Sequence, residues 1–152
     1  MPRHLQRLRQ VWQKQPLYFV TTCAAGRRPL LDNARAHEIL REEWEGLPAR
    51  HGWLVGRYVV MPDHVHFFLT PRPGTERTLS WVIGTWKEWT AKRLRGQLCE
   101  PAPLWQEEFF DHLLRSKESY AEKWEYVRNN PVRAGLVANA DDWPYAGSIH
   151  FE

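Results

Sequence analysis

Cysteine is almost missing from this 152-residue chain: only Cys23 and Cys99 occur, and no CxxC pair exists to hold a zinc or redox centre. Reduced thiols and a cytosolic protein are the expectation. Long apolar runs are missing as well. Met1 to Gln15 carries Arg3, Arg7, Arg9 and Lys14 without an apolar stretch, which excludes a signal peptide or membrane span there and predicts a loosely ordered basic arm over residues 1–15. No internal repeat or low-complexity tract is present, so residues 16–152 read as a single domain. A strong excess of one charge is also lacking. The net charge of +3 and pI near 9.0 permit a polyanionic partner without demanding one. With 26% charged and 43% hydrophobic residues the chain is not a disordered one. Tryptophan is plentiful, with nine copies. Most belong in a core, but any left partly exposed is a platform on which unpaired bases stack.

Periodicity predicts the elements. Leu17 to Cys23 is rich in β-branched and aromatic residues and reads as the first strand. Between about Asn33 and Leu47, the residues Ala36, Ile39, Leu40, Trp44 and Leu47 recur at helical spacing, with Asp32 or Asn33 as N-cap. Trp53 to Val60 and His64 to Thr70 are strands joined by a turn at Met61-Pro62-Asp63. Thr78 caps a second helix running to about Arg95, with Leu79, Val82, Ile83, Trp86 and Leu94 as its buried stripe. A fourth strand lies around Phe109 to Leu114, and a third helix spans about Lys117 to Asn129, ended by Pro131. Strand, helix, strand, strand, helix, strand is the split βαβ order of an α+β, ferredoxin-like domain. It predicts an antiparallel sheet with helices on one face and a further C-terminal helix.

Within the third strand Val65, Phe67 and Leu69 alternate with His64, His66 and Phe68, so the two histidines share a face. Two imidazoles at about 6.5 to 7 Å along a strand can close on one metal ion. They can equally be two polar residues on a half-exposed face, and the pair alone favours that plainer reading. In the third helix Tyr120, Trp124 and Val127 form the core stripe, whereas Tyr126 falls on a polar face with Ser119, Glu122 and Lys123. Asn130 stands four residues on, so one continuous helix would present Tyr126 and Asn130 together. A divalent ion held by two nitrogens and an oxygen would polarise a substrate oxygen, and an activated tyrosine can attack a phosphodiester to form a phosphotyrosine link.

Met61-Pro62-Asp63-His64-Val65-His66, Trp105-Gln106, Asp111-His112 with Arg115, the block Tyr126 to Val137, and Asp142-Trp143-Pro144 resemble the single-tyrosine HUH transposases. More narrowly, they resemble the IS200-like group called REP-associated tyrosine transposases of bacteria. The resemblance runs from about Tyr18 to Tyr145, and the Tyr-x-x-x-Asn-Pro-Val block is its most specific part. It implies a nuclease domain that cuts and rejoins single-stranded or hairpin DNA with Mg2+ or Mn2+, in the bacterial cytoplasm and associated with the nucleoid. Carried over by motif, His64 and His66 are metal ligands, Tyr126 is the nucleophile forming a 5′-phosphotyrosine, and Asn130 is a candidate third ligand. Relatives outside the REP-associated group often have glutamine at that last position. Arg27, Arg28, Lys87, Lys92, Trp105 and Arg133 are the candidate DNA contacts. Glu122 is expected to be solvated, His112 to be a satisfied structural histidine, and the chain to be a monomer. Two further readings stand beside this one: an inactive single-strand-binding module on the same fold, and a metal-dependent nuclease that uses water.

Overall fold

Alternation along the strands decides which residues meet which layer. In the computed structural model, which describes residues 15–98 and 103–152, β1 (Leu17–Cys23), β2 (Trp53–Met61), β3 (His64–Pro71), β4 (Phe110–Leu114) and β5 (Ala146–Ser148) form one antiparallel sheet. The strand order is β4-β1-β3-β2-β5. Its first four members are the split βαβ sheet read from the sequence. The fifth extends the edge beyond β2, where the sequence offers only a short closing segment. The basic arm up to residue 14 and residues 99–102, with Cys99, lie outside the described residues.

One face of the sheet presents Val20, Val55, Tyr58, Val60, Val65, Phe67 and Leu69 to α1 (Ala34–Glu45) and α3 (Leu79–Leu98). Asn33 caps α1 by accepting from the Ala36 N–H at 2.9 Å, and Gly46 closes it earlier than periodicity suggests. The short α2 (Leu47–His51) follows and stops at Gly52, whose φ of 74° is open to glycine at no steric cost. Trp44 and Trp86 stack at 5.7 Å in the middle of this layer, with Phe67 and Tyr58 around them.

The opposite face presents Leu17, Phe19, Val59, Met61 and Phe68 to α4 (Lys117–Arg128). Ser116 caps this helix by accepting from the Ser119 N–H. Tyr120 lies over Phe68 at 4.7 Å, and Val127 is buried beside it, as their helical spacing predicts. Chain continuity past Arg128 differs from expectation. Asn129 adopts φ −90° and ψ 1°, and Asn130–Arg133 forms a separate turn of helix, α5, with Pro131 near its start. Asn129 interrupts the helix, and Pro131 lacks the N–H that would extend the ladder back to Val127, so Tyr126 and Asn130 do not share one helix. The two helical layers therefore take opposite faces of the sheet, and α4 covers only part of its own.

Candidate active site

His64 and His66 project from β3 onto the face that α4 covers, across from Cys23 and Thr21 of β1. Their rings are 4.8 Å apart at centroids and nearly perpendicular, at 79°. Each Nδ1 is already engaged: His64 Nδ1 lies 2.7 Å from Asp63 Oδ1, and His66 Nδ1 lies 2.8 Å from Thr21 Oγ1. Nε2 is thus the nitrogen each ring has left for a ligand, the usual arrangement around a metal-binding histidine. Asp63 is in turn gripped by Arg27, whose Nε donates to Oδ2 at 2.9 Å from a backbone held at φ 53°. Burial pushes the Asp63 carboxyl up, but its hydrogen bonds to His64 and Arg27 outweigh this and hold it below the ordinary carboxylate range. Burial, followed by the charges of His64, Lys123, Arg27 and Arg133, pushes His66 down to about 3, so its imidazole is neutral at pH 7.

This donor set fits a divalent ion. Among the described residues no three His, Cys, Asp or Glu side chains form a group that could hold a metal ion. The Oδ1 of Asn130, the carboxamide expected as a third ligand, here accepts from Arg133.

Tyr126 is 62% exposed on α4. It lines a cleft of about 260 Å³ together with His112 and Leu114 of β4 and with Ser119, Glu122 and Lys123 of its own helix. The Lys123 ammonium stands 4.7 Å over the Phe19 ring, and Phe19 is stacked on His66 at 5.3 Å. That run of contacts links the tyrosine's cleft to the histidine pair. From α5, the Arg133 guanidinium lies 3.9 Å over the Tyr126 ring and donates to the Tyr126 carbonyl at 2.6 Å. A nucleophile-capable phenol, an ammonium, a guanidinium and two imidazoles thus gather on one side of the sheet. Such a set suits a phosphate diester.

Several expected residues are placed otherwise. Trp105, expected to contact DNA, is 5% exposed, donates its indole N–H to Thr90 and packs on Trp86, so it has no face to offer a base. Lys87 is half-buried and spends its ammonium on the carbonyls of Gln106, Glu107 and Glu108, which fastens that loop to α3. Lys92 is exposed and paired with Glu88, but α3 lies on the other side of the sheet from Tyr126. Arg28 donates to the carbonyls of Ala25 and Pro103 and joins two loops. Only Arg133 of that group flanks the tyrosine. His112 is exposed in the tyrosine's cleft rather than a satisfied structural histidine, and Glu122 shares that cleft. Sequence reasoning put Lys123 on the face of Tyr126 without giving it a role, and it did not single out Thr21 or the bond from Asp63 to His64.

Comparison with known proteins bears on the family and the fold. The family described as "Transposase IS200 like" matches residues 10–130. The REP-associated tyrosine transposase of Escherichia coli (strain K12) is 26% identical over 138 residues, which is 91% of this chain and 79% of that protein. A putative REP-associated tyrosine transposase of Haemophilus influenzae (strain ATCC 51907 / DSM 11121 / KW20 / Rd) is 29% identical over 100 residues, 60% of this chain and 56% of that one. In fold the chain is similar to a REP-associated tyrosine transposase solved bound to a REP hairpin, with TM-score 0.69 and 24% identity over 86% of this chain and 75% of that one. It is also similar to the structure of a putative transposase from Deinococcus radiodurans r1, with TM-score 0.57 and 20% identity over 76% of this chain and 90% of that one. The family match spans the histidine pair, the tyrosine and Asn130 together, and the chain belongs to the IS200-like transposase family.

Proposed function

We propose that this transposase cuts and rejoins single-stranded DNA at a hairpin, with Tyr126 as the attacking group. The observation that carries the reading is the cleft in which the exposed tyrosine meets Lys123, whose ammonium is stationed over Phe19 and so beside His66. A water-using nuclease has no use for an exposed phenol in that place.

The Tyr126 hydroxyl oxygen forms a bond to phosphorus as the bond from phosphorus to the 3′ oxygen breaks. The phenol proton passes to a base, for which the cleft offers the Glu122 carboxylate and the His112 imidazole, and the departing 3′ oxygen takes up a proton to become a free hydroxyl. The 5′ side of the cut stays on the tyrosine. Return of a 3′-hydroxyl reverses the step and joins the strands. Lys123 and Arg133 hold the phosphate and balance its charge in the half-covered cleft. A Mg2+ or Mn2+ ion on Nε2 of His64 and His66, with Asn130 as candidate third ligand, would add Lewis acidity toward the phosphate. Hairpin DNA is the substrate class suggested by the relative solved with a REP hairpin. Tyr126 and the histidines lie on the same side of one chain's sheet, joined through Lys123, Phe19 and His66, and this supports a monomer.

The test is a denaturing gel after incubation with a hairpin-containing strand labelled 3′ to the cut, in magnesium. A slower protein-linked band should form, and peptide mapping should place the nucleotide on Tyr126. Cleavage without any protein-linked strand would instead assign the attack to water.

A further inference from the structure

On the far side of the sheet, α3 sends Val82, Ile83, Trp86 and Leu94 into the core and leaves two other tryptophans outside. Trp81 is 41% exposed and Trp89 is 50% exposed. Eight residues apart, they stand about 12 Å from one another along the helix axis. Singly exposed hydrophobic side chains are ordinary, but two indoles on one outward helix face are a patch.

Each indole carries a cation. The Arg77 guanidinium lies 4.0 Å over the Trp81 ring, and the Lys92 ammonium lies 4.7 Å over the Trp89 ring. His51 meets Trp81 edge-on at 4.7 Å. Beside them a cleft of about 300 Å³ is lined by Glu43, Arg50, His51 and Trp89. Glu43 is buried there, held by Arg50 at 3.1 Å and Arg93 at 3.9 Å. The cleft therefore combines an aromatic wall, a guanidinium donor and a carboxylate acceptor. That combination suits a planar base with donors and acceptors along its edge.

We propose that the Trp81–Trp89 face of α3, with the cleft beside it, is a second binding surface for single-stranded nucleic acid, one that takes an unpaired base against Trp89. The cations decide the class of occupant. Arg50 and Lys92 are already paired with Glu43 and Glu88, but Arg77 has no acidic partner among the described residues. A protein partner covering this face would have to desolvate Arg77, whereas a nucleic-acid strand matches it with a phosphate. Stacking needs bases free of a duplex, so the occupant is single-stranded. The surface lies across the sheet from Tyr126, so it cannot touch the reacting phosphate and instead holds a different stretch of strand.

The probe is a fluorescent oligothymidine, which forms no hairpin, titrated against the full chain and followed by anisotropy. Trp81→Ala combined with Trp89→Ala is expected to weaken binding about tenfold or more, Trp89→Phe to restore much of the loss, and affinity for plain duplex to change little. Photocrosslinking with bromouridine-containing strand should mark the Trp89 peptide. Unchanged oligothymidine affinity in the double variant overturns the proposal. So does an equal loss on duplex, or a double variant that turns a dimer into a monomer in sedimentation without DNA, since the patch would then cover a second copy. Oligothymidine binding needs no cleavage. A missing adduct in the gel above would therefore count against the Tyr126 reading and leave this one standing.

Discussion

The two faces of the sheet are built for different ends. Toward α1 and α3 the strands present Tyr58, Phe67 and Leu69 to Trp44 and Trp86, and the aromatic rings fill the layer between sheet and helices. Toward α4 the apolar cover stops at Phe19, Phe68, Tyr120 and Val127, and beyond it the same face continues as His64, His66, Lys123 and His112. β3 serves both by alternation alone, with Val65 and Phe67 on one side and His64 and His66 on the other. Stability is concentrated on one face, and the other keeps an uncovered strip where polar groups can act. Removing side chains from each face should separate the two roles.

The largest effect is expected from Trp44→Ala, which empties the middle of the aromatic layer. Loss of a fully buried tryptophan costs about 3 to 5 kcal/mol, so the urea midpoint should drop sharply or the protein should fail to fold. An effect on stability as large from Tyr126→Phe would erase the contrast between the faces.

Next comes Asp63→Ala, which frees His64 Nδ1 and releases Arg27. Removing a carboxylate behind a ligating imidazole typically lowers metal affinity about 10-fold to 100-fold. Manganese binding followed by calorimetry should weaken by that order while the thermal midpoint moves little. Unchanged binding would mean that the histidine pair is not the metal site.

A smaller effect concerns pH and the core face. His37 sits 2.7 Å from the Tyr58 hydroxyl, to which Arg41 also donates, and burial followed by the Arg41 charge lowers its pKa below 6.5. The unfolded chain then binds a proton at a higher pH than the folded one. The neutral His37 contributes its full stability above about pH 6.5, and that contribution is lost as pH falls toward the folded value. Denaturation at about pH 7 and about pH 5 should show a smaller drop in His37→Phe than in wild type.

Much of this was readable in the residues. The first four strands and α1, α3 and α4 follow from apolar period and turn chemistry, because each depends on neighbours close in the chain. The shared face of His64 and His66 needed only the period of a strand. Tyr126 on a polar helix face with Ser119, Glu122 and Lys123 needed only the period of a helix, and those residues line one cleft. Features that depend on distant partners were not readable. Composition cannot tell a stacking tryptophan from a core one, and Trp105 became core because Trp86 and Thr90 meet it from α3. Lys87 looked like a free surface cation until three carbonyls of the 106–108 loop came to it. The break at Asn129 was half legible, since Pro131 announces an end to the helix but not the separate turn that begins at Asn130.

The most direct measurement compares Tyr126→Phe with wild type in both stability and covalent capture of hairpin DNA. The substitution removes one exposed oxygen from the site face and leaves the aromatic core untouched. The thermal midpoint and DNA affinity should stay close to wild type while the protein-linked strand disappears. A Tyr126→Phe protein that still carries the covalent strand, or cuts hairpin DNA as fast as wild type, would contradict the assignment of Tyr126 as the attacking group.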